Sequence, residues 1–432
     1  MNLKAVKKMI TVIVVGIIIV IAATIGVYFA YFQPRGPTVS EVTILMTQPL
    51  SGANALFGES CRRGADLAVK EINMLGGVKS LGGAKLKLVV IDNRGSPDFA
   101  VTSLEEAINR YNPTAVLGSI LSDIMLAVSD VTHRYDVPNL STASAESIYT
   151  RGYDNLFCFW PTTTQQIQSW PNLLKEISDK YGAIQKVAVI YLANAYGRAL
   201  GGGIKDKLRS LGFEIVYASE YDPKIADASP IITQVKNSNA EALISVSYLS
   251  DGILIYRTMT TLGCYIAFIS GMPTYQIDWN NTLGLSGSCA FTFGTPYCWD
   301  IQHPSNIEFV KKFKESYGMI PDAFGGVYYC MTWLLYEAIE YAGSIDPMAI
   351  KQAIREMGDK GLYYGPSTIL VKKPKFTPEG YIANYSTIAC QWINGLMVTV
   401  APSDVASAKP IWPVNATVFG KYIPNWPLPK VP

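Results

Sequence analysis

The sequence predicts an α/β protein of two Rossmann-like lobes with parallel sheets, joined by a multi-strand hinge, plus one N-terminal transmembrane helix. Three observations predict it. Residues 10–32 form an uncharged apolar run. Beyond them, short β-rich apolar runs alternate with longer amphipathic stretches, the pattern of a parallel sheet wrapped by helices. Strand-like runs then return late, near 367–370 and 387–392, so the chain crosses between lobes more than once. Multiple crossings make a hinge.

The 432 residues are 49% hydrophobic and 16% charged, a composition that excludes a disordered or fibrous chain. At roughly 100 to 200 residues per domain, this length allows two or three folding units. As a helix, residues 10–32 would run about 35 Å, enough to cross a hydrocarbon core of about 30 Å. Lys4, Lys7 and Lys8 precede the run and Tyr28, Tyr31 and Phe32 end it. Residues 1–9 are therefore expected in the cytoplasm, the aromatics at the outer interface, and everything after Gln33 outside. A cleaved signal peptide would have a shorter apolar core followed by a small-x-small site, so the run reads as an uncleaved single-pass anchor in the cell membrane.

A Pro/Gly-containing linker at 33–40 leads into the first lobe, expected at 41–160 and 295–365. The second lobe is expected at 161–294 and 366–400, and a Pro/Trp-rich tail at 401–432 reads as an extended segment lying on a surface. Strands of the first set are expected at 42–46, 86–92, 115–118 and 137–140, and of the second at 186–192, 213–218, 242–246 and 265–270. In the first helix Ala65, Ala68, Val69, Ile72 and Leu75 share one face, with Gly76-Gly77 ending it. Later helices are expected at 170–181, 197–211, 231–237, 251–262, 307–317, 323–342 and 347–357.

Lys4, Lys7, Lys8 and Arg35 are the only charged side chains before Glu41, which leaves 32 basic against 34 acidic residues beyond them. That balance gives no basic footprint for nucleic acid. The seven cysteines (61, 158, 264, 289, 298, 330 and 390) contain no CxxC pair, and His133 and His303 are the only histidines, so neither a structural zinc site nor another metal site is expected. Outside the cell some cysteines could pair, Cys289 with Cys298 being the closest in sequence. Asn139, Asn280, Asn384 and Asn415 stand in Asn-x-Ser/Thr sequons.

No GxSxG, GxxxxGK[ST], HExxH or strand-following GxGxxG is present, and two histidines leave few candidates for a nucleophile and base. An enzyme is therefore not expected, nor any cofactor. Binding is better supported, because three loops rich in small polar residues fall at strand carboxyl ends, where open α/β sheets hold ligands: 48–54, 118–123 and 141–145. The middle loop leads straight into a helix whose free N–H groups suit an anion such as a carboxylate. Taken alone, Ser122 there could simply cap that helix.

Order and spacing together carry a resemblance over about residues 41–392. Leu50-Ser-Gly-Ala-Asn-Ala-Leu-Phe-Gly58 is followed by Gly64-Ala-Asp-Leu-Ala-Val-Lys-Glu-Ile-Asn73, then by Val90-Ile-Asp-Asn93 with Pro97. Next come Val116-Leu-Gly118 with Ser122, Val137-Pro-Asn-Leu-Ser-Thr-Ala-Ser144, Arg151-Gly-Tyr153 and Ala195-Tyr-Gly197. In these the chain resembles the type I periplasmic solute-binding proteins of ABC transporters, the branched-chain amino acid and amide group.

The resemblance implies two lobes that close on a small solute and partnership with an ABC permease and ATPase. It places the carboxylate-gripping serine on Ser122 and the backbone and hydroxyl contacts on Thr142, Ala143 and Ser144. It places the first-loop aromatic on Phe57 and the second-lobe tyrosines on Tyr196 and Tyr248; Trp160 and Tyr275 complete the expected aromatic enclosure. Two departures stand out. Amino-acid binders hold the ammonium with an acid after the fourth strand of the second lobe, where this chain reads Ser270-Gly-Met-Pro-Thr-Tyr275. The disulfide that often links two first-lobe loops is replaced by Gly95 and Leu121.

Two further function classes compete with transport. A sensory-receptor ectodomain of the same fold would need a separate output partner, because only about nine residues precede the span; a secreted enzyme lacks a catalytic constellation. Asp251 and Asp278 are the only acids near the strand end that could replace the missing one, and Asp251 is placed to cap the helix that follows it. The expected solute therefore lacks a free ammonium: an amide, an organic or aromatic acid, or a similar neutral-to-anionic compound.

Overall fold

The computed structural model describes residues 39–275 and 277–432, together with helical positions 14, 16, 17, 20, 21 and 24. The rest of the expected span at 10–32 lies outside the described residues, and among the described residues no helix is long and apolar enough to cross a membrane.

The first lobe is built on a five-stranded parallel sheet. Strands β1 (Glu41–Gln48), β2 (Lys85–Asp92), β3 (Ala115–Leu117), β4 (Asn139–Ser141) and β5 (Leu156–Cys158) lie in the order β2-β1-β3-β4-β5. Helices α1 (Ala55–Met74), α2 (Pro97–Tyr111) and α3 (Ser122–Arg134) alternate with them. The second lobe begins at α4 (Thr163–Tyr181) and contains β6 (Lys186–Leu192), α5 (Ala195–Ser210), β7 (Glu214–Tyr221), α6 (Ser229–Asn237), β8 (Ala242–Val246), α7 (Leu249–Thr261), β9 (Ala267–Ser270), α8 (Ile277–Leu283) and β10 (Phe291–Thr295). The chain then returns to the first lobe for α9 (Pro304–Tyr317), α10 (Ala323–Ala342) and α11 (Pro347–Lys360). It ends in the second lobe with an antiparallel hairpin of β11 (Ile388–Ile393) and β12 (Leu396–Ala401). The seven-stranded order there is β12-β11-β10-β9-β8-β6-β7.

Helix α10 is buried from Ala323 through Ile339 on every side, which suits a helix apolar all round, and it packs against α1 as the central helix pair of the first lobe. Their approach depends on Gly64, where a Cβ would stand 2.1 Å from the Gly325 carbonyl oxygen. The start of α4 is set by a capping box, in which Thr162 and Gln165 satisfy each other's backbone N–H groups. The sequence pattern alone started that helix at 170.

The structure adds to the sequence reading or departs from it in the return segment, the tail, the cysteines and one sequon. The run at 367–370, expected as a strand, forms the end of a 3-10 turn (Gly365–Thr368) and the start of a loop that continues along the first lobe. There Cys158 pairs with Tyr381, and the Phe376 ring meets Phe157 edge-on at 5.3 Å. Residues 376–382 thus pack with the first sheet, although 366–400 was expected in the second lobe. The tail folds onto the second lobe, burying Ile411, Val414 and Phe419, with Gln391 holding both the N–H and the carbonyl of Ile411. All seven cysteines are buried free thiols; those of Cys289 and Cys298 point at the Val418 and Met397 carbonyls rather than at each other. Asn139 is fully buried in β4, so this sequon is closed to a glycan in the folded protein.

Glu337 carries a prediction. It is buried in α10, where Oε2 accepts from Ser367 Oγ and the Tyr364 N–H while Oε1 has no partner. Burial pushes its carboxyl up to about 8, against 4.5 in its ordinary state. The folded protein therefore keeps a proton that the unfolded chain releases, and this residue's contribution to stability falls as pH rises through that window. Glu337→Gln is expected to flatten the fall in melting temperature between about pH 5 and 8; an unchanged slope would refute the assignment.

Candidate functional site

The carboxyl ends of β3 and β4 in one lobe and of β8 and β9 in the other converge on a narrow cleft whose cavity volume is about 20 Å³, or about 330 Å³ of empty space when its open mouth is included. It is lined by Ile120, Leu121, Ser122, Thr142, Ser144, Trp160 and Phe324 from the first lobe and the crossing out of it. Tyr196, Tyr248 and Met272 come from the second.

The first-lobe wall is held from behind. Gln48, at the end of β1, donates from its amide to the Gly118 carbonyl and the Tyr328 hydroxyl, and accepts from the Ile120 N–H at 3.3 Å. The Tyr328 hydroxyl also donates to the Gly118 carbonyl at 2.6 Å. This network fixes the loop so that α3 starts at the cavity. Leu121 occupies the N-cap position and no side chain caps the helix. Ser122 is the first helical residue, so its hydroxyl is not the cap and faces the cavity beside the unsatisfied N–H groups of the first turn.

The neighbouring loop is braced by Tyr149, whose hydroxyl donates to the Ala143 carbonyl at 2.6 Å, while the Ala143 N–H donates to Ser141 Oγ at 3.1 Å. Both backbone groups of Ala143 are thereby engaged inside the lobe, and Ala143 does not line the cavity. Thr142 and Ser144 do, and the buried Thr142 hydroxyl has no hydrogen-bond partner. An unpartnered buried hydroxyl costs about 1–3 kcal/mol, so a ligand acceptor or donor there recovers free energy.

Aromatic rings form two layers. Trp160 lines the cavity, stacked on Phe324 at 4.8 Å and tilted against Tyr275 at 5.1 Å. Tyr275 is buried behind it, its hydroxyl donating to the Phe293 carbonyl, and Phe57 is buried edge-on to Phe324 at 5.6 Å. Phe57 and Tyr275 therefore support the wall instead of forming it. Across the cleft Tyr196 and Tyr248 are parallel at 6.1 Å, with the Tyr248 hydroxyl accepting from Asn194 Nδ2.

None of the ten lining residues is charged. Asp251 lies behind Tyr248, accepting from the Tyr248 N–H and from the Tyr221 hydroxyl, and burial pushes its carboxyl up to about 6. Asp123, one residue past Ser122, is exposed, and partial desolvation raises its carboxyl above the usual range. Among the described residues no cluster of His, Cys, Asp or Glu is placed to hold a metal ion.

Six of the nine residues expected from sequence are thus brought together, while Phe57, Ala143 and Tyr275 stand behind them. Ile120, Leu121, Met272 and Phe324 were missed. The first two were apolar residues inside an otherwise polar loop, which was a usable signal. Phe324 was hidden because it opens a helix that reads as pure core.

Two α/β lobes, linked by three crossings and enclosing a small uncharged cavity at their strand ends, define a clamshell solute-binding protein of the type I class. A family model described as periplasmic binding protein matches residues 41–386, and the chain belongs to that family. It is 27% identical over 394 residues to Leu/Ile/Val-binding protein homolog 7 of Brucella abortus, covering 86% of this chain and 94% of the relative. Among solved structures, the branched-chain amino acid binding protein LivJ of Streptococcus pneumoniae, in complex with isoleucine, superposes with a TM-score of 0.72 at 18% identity, covering 84% of this chain and all of that one. A Rhodopseudomonas palustris solute-binding protein in complex with benzoate gives 0.72 at 17% identity, covering 89% of this chain and all of that one. At these identities the structural likeness speaks for the fold.

Proposed function

We propose that this chain is the solute-capturing component of an ABC importer, anchored by residues 10–32 with its lobes outside the cell, which closes on a small organic solute and delivers it to a permease and ATPase. The observation that carries the reading is the interlobe cavity, where the hydroxyls of Ser122, Thr142 and Ser144 and the first turn of α3 stand on one wall and aromatic rings on the others. A carboxylate or amide oxygen fits the hydroxyl wall, where charge-assisted hydrogen bonds contribute about 1.5–3 kcal/mol each. The apolar part of the solute then fits between Trp160, Phe324, Tyr196 and Tyr248.

Ser122→Ala is the test. With no capping role to lose, the variant is expected to keep its melting temperature and to bind solute about 10- to 100-fold more weakly by calorimetry. A lowered melting temperature with unchanged affinity would return Ser122 to a structural role. The anchor is tested separately: native protein is expected to require detergent for release and to retain residues 1–32 by intact mass. An N-terminus near residue 30 would overturn it.

A further inference from the structure

A second and larger hollow lies beside the hinge, with about 1100 Å³ of empty space including its mouth. Its place is set by the sheet order. In the second lobe β9 and β8, whose ends carry Met272 and Tyr248 into the cleft, stand on one side of β10, and the β11–β12 hairpin stands on the other. The chain leaves β10 at Thr295 towards the first lobe and comes back into β11 at Ile388, and these crossings line the hollow through Pro296, Ser386 and Thr387 while none of their residues lines the cleft.

The walls of the hollow come from both lobes. Ile369 and Leu370 follow the 3-10 turn that packs on α10 in the first lobe, Ile301 lies in the crossing, and Ile388, Pro402 and Val405 belong to the second lobe. Val405 is 53% exposed, a large apolar side chain left facing this space. Asp404 beside it, itself exposed at the mouth, is the only charged lining residue and makes no salt bridge among the described residues. The buried Asp300 nearby is not available, because it already accepts from the Thr399 N–H, Thr399 Oγ1 and Ser407 Oγ.

We propose that this hollow is a second binding site, for a small organic cation with an apolar body such as an alkylammonium ion, and that its occupancy favours the closed lobes. The charge complementarity is to Asp404, and the alkyl part covers Val405, Leu370 and Ile369. Coupling arises from the lever: opening the cleft turns the lobes about the crossings, and walls on the far side of that fulcrum approach one another. A ligand holding those walls apart binds the closed state better than the open one and shifts the population towards it. By linkage, solute in the cleft then tightens binding of the cation by the same factor.

The test uses the full chain in detergent with n-butylammonium as probe and n-butanol and butyrate as controls, with no solute in the cleft, so that its failure is separate from failure of the transport reading. Saturation-transfer NMR is expected to show saturable butylammonium binding at least tenfold tighter than butanol, lost on Asp404→Asn and weakened by Ala406→Trp, which places an indole in the hollow. Small-angle scattering is expected to show a smaller radius of gyration for the lobes with the cation bound. Butylammonium binding no tighter than butanol, or unaltered by Asp404→Asn, would overturn the site. Saturable binding with an unchanged radius of gyration would overturn its coupling to closure.

Discussion

Gly64→Val is expected to destabilise the protein by about 3 kcal/mol or more, the upper end for overpacking a core. The new side chain would begin 2.1 Å from the carbonyl oxygen of Gly325, and the obstacle is backbone, which no rotamer change removes. Helices α1 and α10 would have to separate, and α10 is the buried centre of the first lobe. The effect reaches the cleft, because the first turn of α10 carries Phe324 and the turn after it Tyr328, which holds the Gly118 loop. Urea unfolding followed by tryptophan fluorescence measures the loss. An unchanged midpoint would mean that the two helices are not packed in this register.

Gly64 also shows what a sequence can and cannot display. As part of the Gly64–Asn73 block it carried the resemblance to solute-binding proteins, yet nothing local says that its partner is Gly325, more than 250 residues away. Strands β1–β4 and β6–β9 were legible as compact apolar runs and most of the helices by a 3.6-residue stripe, although α2 (Pro97–Tyr111) and α8 (Ile277–Leu283) were not read. Strands β5 and β10 escaped because each leads into a crossing between the lobes, and β12 because it is the second arm of the closing hairpin rather than one of the alternating strands. At the site, Ser122, Thr142 and Ser144 were legible because small polar residues at strand carboxyl ends have a physical reason to be there. The layering of the aromatics was not. Whether Phe57 or Phe324 touches the cavity depends on the tertiary packing of α1 against α10, and the engagement of Ala143 depends on the hydroxyl of Tyr149. The buried tail was hidden for a similar reason, as Ile411 is held by Gln391 side-chain bonds rather than by any repeating pattern.

An aromatic acid without an ammonium group, such as benzoate, is expected to bind at least about 100-fold more tightly than leucine, a difference of roughly 2.7 kcal/mol. Both can present a carboxylate to Ser122, Thr142 and Ser144, so the difference rests on what meets the rest of the solute. For leucine that includes an ammonium, and a buried cation without an anionic or well-oriented acceptor costs several kcal/mol. The second-lobe wall offers Met272 and the two tyrosines, none of them charged. Asp251 is turned away, its carboxylate engaged by the Tyr248 N–H and the Tyr221 hydroxyl and lying behind the Tyr248 ring, while Asp123, close enough for its charge to act on the Tyr248 hydroxyl, is exposed to water and does not line the cleft. A planar ring, by contrast, can lie between Trp160 and the stacked Tyr196 and Tyr248 with no polar group left unmatched. Calorimetric titration of both compounds, with the native chain and with Asp251→Asn, decides the matter. Asp251→Asn is expected to leave benzoate affinity within about threefold, because its role is to hold the start of α7. Tight binding of leucine that Asp251→Asn abolishes would show that the carboxylate swings past Tyr248 to reach the ammonium, and the chain would then be an amino-acid binder.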